Sequence, residues 1–127
     1  MSPWPQPSIF RLNSIEIMSG TVEDVSDANY QSFTDAPAAL VSYGLATCEP
    51  CKAYDPILEK IAAEFPQIKV GKARMHVPGR CREIKRRHTF ETYPITHLFS
   101  GGKLLLAREG KIEADELTAL ISDYLLK

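Results

Sequence analysis

Apolar residues along this chain follow two alternating rhythms, and the places where one gives way to the other define the elements. Thr21–Val25 alternates weakly and predicts a short strand. Ser26 or Asp27 then offers an N-cap for a helix that carries Tyr30 and Phe33 on one face. Ala38–Tyr43 is a short apolar run between Pro37 and Gly44, of the kind a strand buried on both faces produces. From Cys51 the period becomes helical. Tyr54, Ile57, Leu58, Ile61 and Phe65 recur at three- and four-residue steps until Pro66 stops the helix, and Pro56 inside it predicts a kink. Ile68–Met75 alternates as a strand, and a short basic helix is expected over about Arg80–His88. Ile95–Phe99 and Lys103–Arg108 form a hairpin across Ser100, Gly101 and Gly102. Leu117, Leu120, Ile121, Tyr124 and Leu125 line one face of a closing helix.

The order is therefore β-α-β-α-β-α-β-β-α, an α/β chain. Such an order implies a central mixed sheet covered by helices on both faces. Residues 1–20, Pro-rich at first and then without a clear period, read as an extension with one short strand expected around Ile15–Met18. Residues 21–127 form the domain.

Composition narrows the function classes. A chain of 127 residues suits one compact domain, and a net charge of −1 gives no overall attraction to nucleic acid or to an anionic membrane. No apolar run approaches the length of a membrane span. The start, Met1 to Pro7, lacks the cationic and apolar stretches of a secretory signal, so the expected location is cytoplasmic. Three cysteines are too few for a disulfide scaffold. A close pair in a reducing compartment points instead to redox chemistry or metal binding.

That pair, Cys48-Glu49-Pro50-Cys51, falls between a buried strand and the start of a helix. Unpaired N–H groups and the helix dipole favour negative charge in the first turn, so Cys48 is expected to ionise more readily than a free thiol. Its thiolate can attack a substrate disulfide, and Cys51, one turn along, can resolve the mixed disulfide. Pro50 stiffens the turn. The spacing alone also allows a zinc site completed by Cys81 and one of His76, His88 or His97, although the chain has no second CxxC or paired Cys/His knuckle.

The stretch from Cys48 through Pro50, Cys51, Lys52 and Pro56 to Ile57-Leu58 resembles the active-site helix of the thioredoxin family. Tyr93-Pro94-Ile95, followed by Phe99 and Gly101-Gly102, resembles that family's proline loop and hairpin, and Gly110 before the last helix fits as well. The resemblance covers about Thr21 to Leu126. It implies the thioredoxin fold, with Pro94 cis beside the cysteines and Tyr93 offering backbone hydrogen bonds to an incoming peptide. It further implies a protein-disulfide reductase that cycles Cys48 and Cys51 between dithiol and disulfide. Its partners would be protein disulfides and a reducing partner such as a thioredoxin reductase, with no bound cofactor and no metal. The alternative is a non-catalytic adaptor or redox sensor on the same fold.

Several residues depart from the family pattern. Ser42 stands where the family usually has a buried acid, and Lys72 matches the lysine beside that acid. If buried without a carboxylate, Lys72 would shed its proton or help stabilise a thiolate. Gly44 and Thr47 replace usual aromatic residues. Glu49 replaces a glycine and places a carboxylate beside Cys48, which opposes ionisation there. The expected consequence is a Cys48 less acidic, and a reductant slower, than is typical of the family.

Cys81 opens the basic segment and reads in two ways. Flanking arginines and a helix N-terminus would lower its pKa and make an extra reactive thiol; alternatively it is a half-buried packing residue. The run Arg80–His88 is either a solvated face or a contact for an acidic protein partner. No aromatic residues interleave with its charges as nucleic-acid stacking would require. His88 and His97 read as a surface residue and a strand residue.

Overall fold

The computed structural model describes residues 20–126, so the strand expected at Ile15–Met18 lies outside the described residues. Among the described residues, five strands and four helices follow in the order β1 (Val22–Val25), α1 (Tyr30–Thr34), β2 (Ala39–Gly44), α2 (Glu49–Glu64), β3 (Lys69–Arg74), α3 (Arg82–Arg87), β4 (Ile95–Ser100), β5 (Lys103–Glu109) and α4 (Ala114–Tyr124). The strands form one mixed sheet in the order β1-β3-β2-β4-β5. β3 runs parallel to β1 and β2, while β4 runs antiparallel to β2 and β5.

Alternation along β2 divides the interior. Leu40 joins Tyr54, Leu58 and Ile61 of α2 and Leu117 and Ile121 of α4 on one face of the sheet. Ala39, Val41 and Tyr43 point the other way, onto Tyr30 and Phe33 of α1 and Ile84 of α3. Every residue of β2 is buried. This is the two-sided cover that a continuous apolar run implies. Tyr54 carries its hydroxyl into the core but hydrogen-bonds Thr96 Oγ1 at 2.8 Å, so the buried oxygen is partnered.

Two glycine features shape the sheet. Gly101 and Gly102 link β4 to β5 at φ +57° and +85°, left-handed conformations that a two-residue hairpin turn requires. Gly71 of β3 leaves room for α1: a β-carbon there would stand 2.6 Å from Phe33 Cζ and would also run into Val25. The ring of Phe33 occupies the space that any larger residue would need.

The helix starts differ from expectation at two places. Asn29 is the N-cap residue of α1, in place of Ser26 or Asp27. Its side chain is engaged in the preceding turn, where Oδ1 accepts from Ser26 N–H and Nδ2 donates to Asp24 O. α2 begins at Glu49, two residues before Cys51, with Pro50 in its first turn, where a missing N–H is harmless. It continues as helix through Pro56 and ends before its C-cap residue, Phe65.

Candidate active site

The end of β2 delivers the chain into the cysteine pair, and α2 starts immediately after it. Cys48 is the N-cap residue of α2, in extended backbone conformation, and its Sγ accepts the Cys51 N–H at 3.2 Å. An N-cap acceptor is usually an oxygen. Here a sulfur takes that position, so a free N–H of the first turn points at the atom that carries charge when reduced. Cys48 and Cys51 are joined by a disulfide with their Cα atoms 5.2 Å apart. Cys48 is partly exposed and Cys51 is buried. The first sulfur is therefore the more accessible of the two.

Gly44 explains how Cys51 fits. A β-carbon at that position would lie 3.3 Å from Cys51 Sγ, so the glycine lets the strand pass close to the sulfur. Near Cys48, the Tyr93–Pro94 peptide is cis and Pro94 is buried just before β4. Tyr93 O lies 3.5 Å from Cys48 Sγ. The reduced Cys48 thiol could donate there. Burial raises the Tyr93 phenol above its usual range, and Cys81 nearby adds to the effect.

Glu49 and Lys72, both expected to tune the sulfurs, have partners of their own. Glu49 is solvent-facing and pairs with Lys52 at 3.4 Å, which leaves its charge screened and partly balanced beside Cys48. Lys72 does not lack an acid, as its neighbour Ser42 suggested it would. Its Nζ donates to both oxygens of Asp55, at 2.7 and 2.8 Å. Asp55 lies on α2 rather than on β2, so the carboxylate comes from the element packed over the strand. Ser42 is buried and brings no charge.

Cys81 corrects the expectation of an acidified thiol. It is buried, and its Sγ is 3.6 Å from Arg74 O, where it can donate. Its pKa is raised, first by burial and next by the Asp27 carboxylate. The N-terminus of α3 is already taken: Asp27 accepts from Glu83 N–H and Ile84 N–H at 2.9 and 3.1 Å. Arg80, the flanking cation, pairs with Asp24. The helix start and the arginine thus serve two aspartates and leave the sulfur neutral. Among the described residues, no three or more of His, Cys, Asp and Glu gather into a group able to hold a metal ion.

Reading the sequence missed a chain of polar rings on the far face of the sheet. Tyr30 and Tyr43 share a hydrogen bond of 2.7 Å, Tyr43 reaches His97 Nδ1 at 3.0 Å, and Tyr30 reaches His88 Nε2 at 3.0 Å. His88 is therefore a half-buried member of the network, stacked on Phe90 with ring centroids 5.3 Å apart, and not a simple surface residue. Burial holds His97 down to about 4 and also lowers His88. Burial is likewise the main reason the Tyr43 phenol lies far above its usual range, with Tyr30 adding to it.

The family model for thioredoxin matches residues 21–123. The chain belongs to the thioredoxin family. A thioredoxin of Chlamydia pneumoniae is 30% identical over 103 residues, a match that covers 81% of this chain and 98% of the relative. Among solved structures, a mutant thioredoxin from Halobacterium salinarum NRC-1 superposes with a TM-score of 0.73 at 19% identity, covering 84% of this chain and 92% of its own. A thioredoxin of Trypanosoma brucei brucei gives 0.71 at 24% identity, over 82% of this chain and 90% of its own. These likenesses show the thioredoxin fold. Together with the Cys48–Cys51 pair, membership supports a thiol–disulfide oxidoreductase.

Proposed function

We propose that this thioredoxin-family chain reduces disulfides in proteins by cycling Cys48 and Cys51 between dithiol and disulfide. The observation that carries this reading is the position of Cys48 Sγ. It is partly exposed, accepts a helix N-terminal N–H, and lies within bonding reach of a buried second sulfur. Cys48 attacks a substrate disulfide as thiolate, one substrate sulfur leaves, and Cys51 then attacks Cys48 to release the other. The two electrons come from a dithiol donor such as a thioredoxin reductase, which restores the pair in a reducing compartment such as the cytoplasm.

Support for peptide docking comes from Tyr93, whose carbonyl faces Cys48 beside the cis Pro94. In this reading a substrate strand lies along that loop with its sulfur over Cys48. The basic helix α3 is available to an acidic protein partner. Arg86 pairs with Glu83 and Arg87 stands over the Tyr30 ring, whereas Arg82 and Lys85 are exposed. Residues 1–20 are read as an extension to the domain that follows.

Reduction of insulin disulfides tests the proposal, with dithiothreitol and then with a thioredoxin reductase system as the electron source. Wild type is expected to accelerate reduction and Cys48→Ser to abolish the acceleration. Equal activity in the two proteins would remove catalysis by this pair. A second reading, an adaptor or redox sensor, is favoured by the uncharged Ser42 and by Gly44 and Thr47 near the cysteines. It predicts a reversible Cys48–Cys51 disulfide in a protein that does not turn over insulin.

A further inference from the structure

The buried sulfur of Cys51 has an ion pair beside it that the exchange chemistry has so far left unused. A β-carbon built on Gly44 would lie 3.3 Å from Cys51 Sγ and 3.9 Å from Lys72 Cε, so both atoms border one point on the inner face of the sheet. Lys72 Nζ is held by both oxygens of Asp55. Asp55 lies four residues after Cys51 on α2, and residues at that spacing share a helix face. The pair therefore joins β3 to α2 alongside the resolving sulfur.

A buried thiolate is stable only if a positive charge or donor meets it; otherwise burial favours the neutral thiol. Leu40, Ser42 and Gly44, the residues of β2 on this face, bring no charge. Lys72 is thus the nearby cation, and its field at the sulfur depends on Asp55, which both fixes the ammonium group and opposes it. We propose that Asp55 is a positioning residue which, through Lys72, sets how readily Cys51 gives up its proton. This rests on the exchange reading above.

In the resolving step the Cys51 thiol loses its proton to solvent. The sulfur electron pair then forms the bond to Cys48 Sγ, the bond from Cys48 to the substrate sulfur breaks, and the departing substrate thiolate takes up a proton. Solvent reaches the ion pair through a groove of about 280 Å³. Its other charged walls are Glu23 and Asp24 of β1, Glu59 of α2 and Arg74 of β3. Asp24 is engaged by Arg74 and Arg80, and Glu23 lies 4.0 Å from Lys69. Of these charged groups, Lys72 is the one that borders the Gly44–Cys51 contact, and Asp55 is joined to it through Lys72 Nζ.

The two charges must act with opposite sign, and this distinguishes a field at Cys51 from a structural effect. The test uses Cys48→Ser protein, in which the pH dependence of alkylation, mapped to Cys51 by mass spectrometry, gives its pKa. Adding Asp55→Asn should lower that pKa by on the order of one unit, because Lys72 is then uncompensated. Lys72→Met should raise it by a similar amount, the double variant should return it towards the starting value, and Asp55→Glu and Lys72→Arg should leave it nearly unchanged. Shifts of the same sign, or none, would overturn the inference; if Asp55→Asn does not fold, Lys72→Met against Lys72→Arg still decides it. Insulin reduction by wild type is measured alongside. An unshifted Cys51 in a protein that reduces insulin refutes this inference alone, whereas paired shifts in a protein that does not reduce insulin refute only the reductase reading.

Discussion

His97 occupies a position on β4 where a charge has little to offset it. It is buried, bonded to the Tyr43 hydroxyl, and flanked by the His88 and Phe90 rings. Its folded pKa of about 4 lies below the value near 6.5 of an unfolded chain. Between those two values the unfolded state binds the proton and the folded state does not, so stability is full above about pH 6.5 and falls as pH drops towards 4. The gap corresponds to on the order of 3 kcal/mol. Urea titrations across pH 4–7 should show this slope in wild type and a distinctly flatter one in His97→Phe; parallel curves would show that His97 is charged in the fold. Cys81 gives a second expectation at this scale. With its thiol raised by burial and by Asp27, it should resist iodoacetamide in the folded, reduced protein while Cys48 reacts, and should become reactive on unfolding. Neither environment was legible in the sequence. Arg80 and the start of α3 adjoin Cys81 along the chain, but the aspartates that engage them, Asp24 and Asp27, arrive from β1 and the turn after it.

At the scale of elements, α3 depends on a residue more than fifty positions earlier. Asp27 accepts two of the free N–H groups at its start, so Asp27→Ala should cost about 1–2 kcal/mol and, by removing a neighbouring anion, should also lower the Cys81 pKa. Denaturant melts together with Cys81 alkylation rates check both effects; a loss of stability with no change at Cys81 would contradict the second. The same residue shows why the start of α1 was misread. Ser26, Asp27 and Asn29 all have cap chemistry, and the sequence gives no sign that the carboxylate of Asp27 is committed to another helix. The two long helices were legible because their apolar stripes repeat over two or more turns, from Tyr54 to Phe65 and from Leu117 to Leu125. The purpose of Gly71 is visible only in the packing of Phe33 against β3. Gly71→Ala should destabilise by about 1–3 kcal/mol through overpacking, and pairing it with Phe33→Leu should recover part of that in thermal melts.

Over the whole molecule, the sheet separates two kinds of chemistry. One face carries the α2 and α4 core, the cysteine pair and the Asp55–Lys72 bridge; the other carries the linked tyrosines and histidines. The cysteine pair and the proline loop were readable because each is a local motif. Their closeness came with the resemblance, and the structure gives it a distance of 3.5 Å from Cys48 Sγ to Tyr93 O. Asp55 was not readable as a partner of Lys72, because that contact needs β3 to lie beside β2 beneath α2. The central claim is that Cys48 attacks and Cys51 resolves, and trapping the intermediate tests it most directly. Reduced Cys51→Ser protein incubated with a disulfide-bonded substrate should accumulate a mixed disulfide that peptide mapping assigns to Cys48, while Cys48→Ser should form none. No adduct in Cys51→Ser, or one mapped to Cys81, would contradict the account.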